Sequence, residues 1–405
     1  MPGLVVSAPA TLSGGFESRY SDNARQSAFD EKSDLESRVS VGVQHTSDPG
    51  RCNSDLGARL GYAYWLDDTF DPETFANLDF IGDCQLGNNV VWQMTDQLRD
   101  VVQDSRTGNT PTNRTRKNVF RTGPLVTFNL GSVDQLFLSA QYENTEYSEP
   151  EETDGERYIG TIGWDHFFSS TFTGGLSASV NQVELDTDEE IDRETLSATF
   201  SKTWAATSVR GSVGYSQIES SLNNSDRESD AIVGDLILTR DINPTTELSL
   251  EASRELTDQT SDFDIRFGEF VFNLEQTSAV EVSAIRLGVG KEFSRGSSLS
   301  AAAYANRSEY LDFETEEERT GFSADYRHPI TGQLTATLGV GYDFLTYQDD
   351  DTEDVLFRAN AGIDFQLNRR LSVITRVGHE RRDSDITTRE FDENWILVGL
   401  NYQFL

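Results

Sequence analysis

The chain has 405 residues, only 36% of them hydrophobic, and a net charge of −36. Its 69 acidic against 33 basic residues exclude a phosphate-binding groove, so no nucleic-acid partner is expected. No run of about 18 apolar residues crosses a bilayer as a helix and no helical stripe persists, yet 24 Phe, 13 Tyr and 5 Trp are too many for a disordered chain.

In chain order, Met1 to Ala10 (MPGLVVSAPA) resembles the end of a secretory signal, apolar and closing on small residues, without its charged beginning. Residues 1–9 are read as a residual tail and 10–405 as one domain. Strand-like segments follow near 10–22, 34–47, 55–67, 73–84 and 87–103. Cys52 falls in the turn between the second and third of these, and Cys84 at the turn after the fourth. Both turns belong to one rim. If that rim faces an oxidising periplasm, a disulfide between them is favoured, free thiols being the alternative.

From about residue 115 the chain repeats a hairpin unit. Tight turns at Gly131-Ser132-Val133, Ser169-Ser170, Ala205-Ala206, Asn243-Pro244, Arg295-Gly296-Ser297, Pro329 to Gly332 and Asn368-Arg369-Arg370 alternate with longer acidic connections. These include Glu149 to Glu156 (EPEETDGE), Asp186 to Glu190 (DTDEE), Glu314 to Glu318 (ETEEE) and Asp349 to Asp354 (DDDTED). Short turns on one side and long polar loops on the other is the asymmetry of outer-membrane barrels. One segment of the longest outer connection, Phe263 to Leu274 (FDIRFGEFVFNL), is apolar. It either folds inward as a constriction or lengthens a strand above the membrane, and the lengthened strand is the expectation.

Between the turns the apolar residues alternate. Val355, Phe357, Ala359, Ala361, Ile363, Phe365 and Leu367 share one face, with Arg358, Asn360, Gly362, Asp364 and Gln366 on the other. Leu334, Ala336, Leu338, Val340, Tyr342 and Phe344 alternate in the same way with Thr335, Thr337, Gly339, Gly341 and Asp343. A period of two means a strand with one face in an apolar medium. Sandwich strands average about 5 to 6 residues. These run about twice that, the length of a tilted strand in a bilayer. Aromatics near the ends of the apolar face, among them Trp164, Phe168, Phe293, Tyr326 and Phe344, suit the headgroup boundary. The fold class is all-β: a transmembrane antiparallel up-and-down β-barrel with an even strand number of about 18–20, set in outer-membrane lipid and lipopolysaccharide.

The final residues, Leu397 to Leu405, resemble the C-terminal signal that directs barrels to the assembly machinery, carried here by Gly399, Tyr402 and Phe404. Leu397 and the trailing Leu405 depart from that pattern. The tandem hairpins, the acidic loops, Arg376 to Arg382 (RVGHERR) and Phe391 to Phe404 resemble the "putative β-barrel porin 2" group of exopolysaccharide-operon-associated outer-membrane proteins. The resemblance implies a channel for export of a surface polysaccharide, with periplasmic export components as partners. A general or substrate-specific porin for small hydrophilic solutes and a non-conducting structural or adhesin barrel stay open as alternatives.

Little catalytic chemistry is legible, and no enzyme is expected. Of four His, His45, His166 and His328 fall near periplasmic strand ends, and only His379, beside Glu380, offers a His–carboxylate pair. Four scattered His give no zinc site, so no metal centre and no resident cofactor are expected. Loosely held Ca²⁺ at the acidic loops, bridging to lipopolysaccharide, is the one cation role the carboxylates suggest. The candidate pore lining is Arg121, Arg210, Arg286, Arg358 and Arg376, with Glu143, Asp165, Asp235, Glu251, Asp325, Asp343 and Asp364. Such opposed charges either set a transverse field that orients polar solutes or pair across the wall and support it.

Overall fold

The computed structural model describes residues 10–404 other than 151, 223–224, 269, 275–278 and 312–314. Residues 1–9, read above as a tail, lie outside the described residues.

Twenty strands are present among the described residues. The first five are β1 (Thr11–Ser21), β2 (Asp34–Thr46), β3 (Cys52–Trp65), β4 (Glu73–Gln85) and β5 (Val90–Val102). There follow β6 (Arg114–Leu130), β7 (Asp134–Tyr147), β8 (Gly155–Ser169), β9 (Phe172–Leu185) and β10 (Glu190–Trp204). Next come β11 (Thr207–Leu222), β12 (Ser225–Asn243), β13 (Thr246–Asp258), β14 (Ala279–Glu292) and β15 (Ser298–Tyr310). The last are β16 (Thr315–Pro329), β17 (Leu334–Tyr347), β18 (Thr352–Gln366), β19 (Leu371–Ser384) and β20 (Phe391–Gln403). Each strand is antiparallel to the next. β20 returns to β1, from Ser13 opposite Gln403 to Ser21 opposite Trp395. Closure removes the edge strands that lipid would leave unpaired.

The alternation sets the faces. On β17, Leu338, Val340, Tyr342 and Phe344 are exposed outward, while Asp343, Leu345 and Tyr347 turn inward and are buried. Leu60, Leu196 and Ile232, each more than half exposed, belong to the same outer belt. An apolar surface this extensive is stable only against an apolar medium. Strands of 11 to 19 residues exceed the roughly 9–11 that cross a bilayer, and the excess overhangs the outer side. There Glu156 stands opposite Glu184 and Glu184 opposite Glu190, while Asp192 faces Glu219 and Glu219 faces Glu228. Facing carboxylates repel, and the overhang keeps them in water. Much of the negative charge therefore lies on the outer collar. The opposite rim is made of tight turns, two of them closed by Gly131 and Gly296 at φ of +84° and +78°, where a side chain would be strained.

Cys52 does not sit in a turn. It is the first residue of β3, directly opposite Cys84 near the end of β4, and the two are joined. The bridge staples a single strand pair rather than two neighbouring turns, because the β3–β4 ladder runs further down than the hydrophobic pattern indicated. It closes a separation of 32 residues. Cys52→Ser with Cys84→Ser should lower unfolding stability by about 3 kcal/mol, read as a shift in the urea midpoint of tryptophan fluorescence in lipid vesicles. An unchanged midpoint would show that the ladder alone holds this corner.

Candidate functional site

The lumen is polar on its periplasmic side and filled on its outer side. All twelve candidate lining residues are inward by strand register, and they divide by height. Arg121, Glu143, Asp343 and Arg358 lie towards the outer side and are engaged in ion pairs. Arg121 Nε donates to Glu143 at 2.6 Å, and Arg157 Nε lies 2.8 Å from the other oxygen of the same carboxylate. Asp343, fully buried, accepts from Arg319 at 2.9 Å and Tyr304 at 2.6 Å and also pairs with Arg358. Asp165, Arg210, Asp235, Glu251, Arg286, Asp325, Asp364 and Arg376 lie lower. Arg376 pairs with Asp364 at 2.6 Å, Asp235 accepts from Ser212, and Glu251 faces Arg286 across β13 and β14.

The outer side is filled by the described part of the connection between β13 and β14, residues 259–268 and 270–274. It turns into the barrel rather than extending a strand, which corrects the expectation for Phe263–Leu274. A four-residue helix, Phe263–Arg266, starts the turn. Phe263, Phe270, Phe272 and Leu274 are almost wholly buried against Tyr147, Val280, Val282 and Tyr310. The rings of Phe263 and Phe270 meet edge-on at 4.8 Å, and those of Phe270 and Phe272 at 4.7 Å. The reason lies in the wall. Near their outer ends β9 to β12 carry Val183, Leu185, Ile191, Ile218, Ala231 and Val233 on the inward face, and these are buried against Leu256 and Ala279. There the alternation is inverted, with carboxylates such as Glu184, Asp192 and Glu219 outward and apolar residues inward, so the inward face must be covered.

The wall parts to allow this. β12 and β13 are paired from Asn243 opposite Thr246 up to Gly234 opposite Arg254, and among the described residues no higher. β13 stays paired with β14 to Asp258 opposite Ala279, so the top of the hairpin leans inward as a unit.

A polar latch seats it. Lys117 of β6, wholly buried, donates from Nζ to the carbonyls of Gln259, at 3.0 Å, and Ser261, and to Asp264 Oδ1 at 2.9 Å. The Tyr147 hydroxyl donates to Gln259 O at 2.8 Å, and Thr145 Oγ1 to Thr260 O at 2.8 Å. Arg157 binds Asp258 at 2.8 Å. Burial pushes the Asp264 carboxyl up against the pull of Lys117. Burial acts the same way on Asp262, but Arg266, Arg121 and Lys117 outweigh it and hold that carboxyl below the ordinary range.

A second connection, 103–113 between β5 and β6, reaches across the lumen to β16–β19. Arg106 pairs with Glu317 at 3.2 Å and Asp349 at 2.7 Å, and Ser105 Oγ donates to the Tyr347 hydroxyl at 3.2 Å. Arg382, buried and paired with Asp354, donates to the carbonyls of Ser105 at 2.9 Å and Thr107 at 3.1 Å. The two loops touch where Leu274 N donates to Gln103 O at 3.1 Å.

His379 and Glu380 do not form a pair. Successive strand residues face opposite ways, so Glu380 points to the lumen while His379 Nδ1 lies 3.0 Å from Asn394 on the outer face. Two of the other histidines serve the wall, His166 against Asp134 at 2.8 Å and His328 against Ser297 at 2.7 Å. Among the described residues no three His, Cys, Asp or Glu side chains stand close enough together to hold a metal ion.

Residues 319–404, from β16 through β20, match a family described as "Putative beta-barrel porin 2". The ferric enterobactin receptor PfeA of Pseudomonas aeruginosa aligns over 98% of this chain and 82% of its own, at 10% identity and a TM-score of 0.50. That likeness concerns the barrel fold alone. The siderophore receptor PirA of the same organism aligns over 98% and 80% at 11% identity with a TM-score of 0.49. Its OccK3 aligns over 98% and 96% at 11% with a TM-score of 0.41. No curated protein matches the sequence. The closed wall, its apolar belt and the C-terminal match identify the chain as a porin-like β-barrel of the outer membrane.

Proposed function

We propose that this porin-like barrel is a gated channel through which a surface polysaccharide leaves the cell. The observation that carries the reading is a polar lower lumen beneath a mouth filled by two in-folded loops, one of them held by a wholly buried lysine. A barrel of this strand number encloses an aqueous path unless something fills it. Here the filling belongs to two connections and a leaning hairpin top, and can leave without opening the ring. Amide, hydroxyl and guanidinium groups low in the lumen suit the hydroxyls of a hydrated sugar chain. The docked loops suit a conduit that must stay shut when no polymer is threaded.

Two measurements test the reading. In planar bilayers the purified barrel should show rare, small openings instead of a steady large conductance. In the producing cell, removing the barrel should leave polymer in the periplasm and bare the surface. Steady conductance with the loops docked points to a small-solute porin, and unchanged surface polymer overturns the export role.

A further inference from the structure

Arginine in this chain is outnumbered by possible partners: 69 acidic residues stand against 33 basic ones. In the lumen most arginines are accordingly mated, as Arg358 is with Asp343, Arg376 with Asp364 and Arg99 with Asp79. Others are not. Among the described residues, Arg59 of β3 and Arg369 and Arg370 of the turn after β18 converge on one cavity of about 630 Å³ at the periplasmic end and make no ion pair or side-chain hydrogen bond. Arg59 lies on the inward face, opposite Gly42 and Asn77. All three are solvent-exposed. The one carboxylate in the cavity lining, Asp79, is occupied by Arg99. Gln44, Asn77 and Asn401 complete the wall with neutral donors and acceptors. Glu247 and Asp325 line a separate cavity between β12 and β19.

We infer that this vestibule binds an anionic saccharide, with Arg59, Arg369 and Arg370 taking its carboxylates and the amides its hydroxyls. The inference rests on the channel reading and supplies its substrate class. Guanidinium forks match carboxylates in a bidentate manner that a lysine or a neutral donor does not. Three of them left unmated in so acidic a chain hold a place for a negative guest. A neutral polymer would need the amides only, and an excess of free positive charge would serve no contact. The vestibule faces the periplasm, so the guest arrives from the side on which an exported polymer is made available.

The test uses the full chain in lipid nanodiscs and measures calorimetric binding of oligogalacturonate, a neutral malto-oligosaccharide of equal length, and polyglutamate. Oligogalacturonate should bind, weaken with added salt, and lose on the order of tenfold in affinity for each arginine changed in Arg59→Gln, Arg369→Gln and Arg370→Gln. The triple lysine variant should recover part of the loss and shows that the wall still folds. Equal binding of the neutral sugar, absence of acidic-sugar binding, or binding indifferent to the substitutions overturns the inference. Polyglutamate binding more tightly than the sugar overturns it too, in favour of a docking place for an acidic protein. Binding does not require conduction, so failure here leaves the channel reading standing, and a barrel that binds but never conducts fails that reading alone.

Discussion

Changing Phe263, Phe270 and Phe272 together to aspartate should raise single-channel conductance by on the order of tenfold, since a ring of this size is an aqueous channel once its filling is gone. The three rings form the centre of the packed loop and are at most 3% exposed. Three carboxylates in their place have no counter-charges in reach beyond those already used by Asp262 and Asp264, and burying an unpaired charge is far costlier than leaving the loop in water. The ladder around the ring uses none of these residues, so the barrel should persist. Trypsin reports the event independently: the Arg266 side chain is exposed even in the docked short helix, and cleavage there should become faster when the segment swings out. Faster cleavage at Arg266 without a rise in conductance would place the constriction elsewhere, at residues 103–113.

Lys117→Met should have the second largest effect. Removing one partner of a buried ion pair leaves the other uncompensated, typically at a cost of about 3–5 kcal/mol, and here it also strips the carbonyls of Gln259 and Ser261 of a donor. The readout is the rate of tryptic cleavage at Arg266, which should rise by on the order of a hundredfold or more. The double change Lys117→Met with Asp264→Leu should recover most of the loss. The pH dependence has a definite sign. Asp264 already sits above the ordinary aspartate range because it is buried, and without Lys117 it rises further. A buried acid with a raised value binds more protons docked than free, so its penalty is full at high pH and fades as pH falls through that value. Cleavage of the single variant should therefore be faster at pH 8 than at pH 5. Equal rates would mean that Asp264 is not the residue left stranded.

The wall was legible because alternation is local: β17 and β18 read directly from Leu334 to Phe344 and from Val355 to Phe365. Gly131 and Gly296 marked turns because of what a side chain there would cost. The filled mouth was harder to see. Val183, Leu185, Ile191 and Ile218 break the polar run of the inward face, but each does so only once or twice per strand. Only the ring order shows that they form one patch. The signal lies in strands whose alternation inverts at one end, acidic outward and apolar inward, which points Phe263 to Leu274 inward. Sequence adjacency misled at His379 and Glu380, where strand geometry sends neighbours apart. The vestibule was half legible: Arg369 and Arg370 stood in a recognised turn, but nothing local showed that they, unlike Arg376, lack a carboxylate.

Above Gly234 and Arg254, among the described residues, β12 pairs with β11 on one side and with no strand on the other. That edge is a vacant track. Continuing the β12–β13 register along it would bring Ile232 opposite Leu256, a favourable apolar pair, and Asp230 opposite Asp258, an unfavourable like-charged one. The hairpin top is packed inside, and a zipped position in the wall would be its alternative home. The zipped position would exchange the buried Arg157–Asp258 pair for new ladder bonds and a charge clash. Two states built from one stretch of backbone, separated by the balance of those terms, are the physical requirement for a switch rather than a stopper.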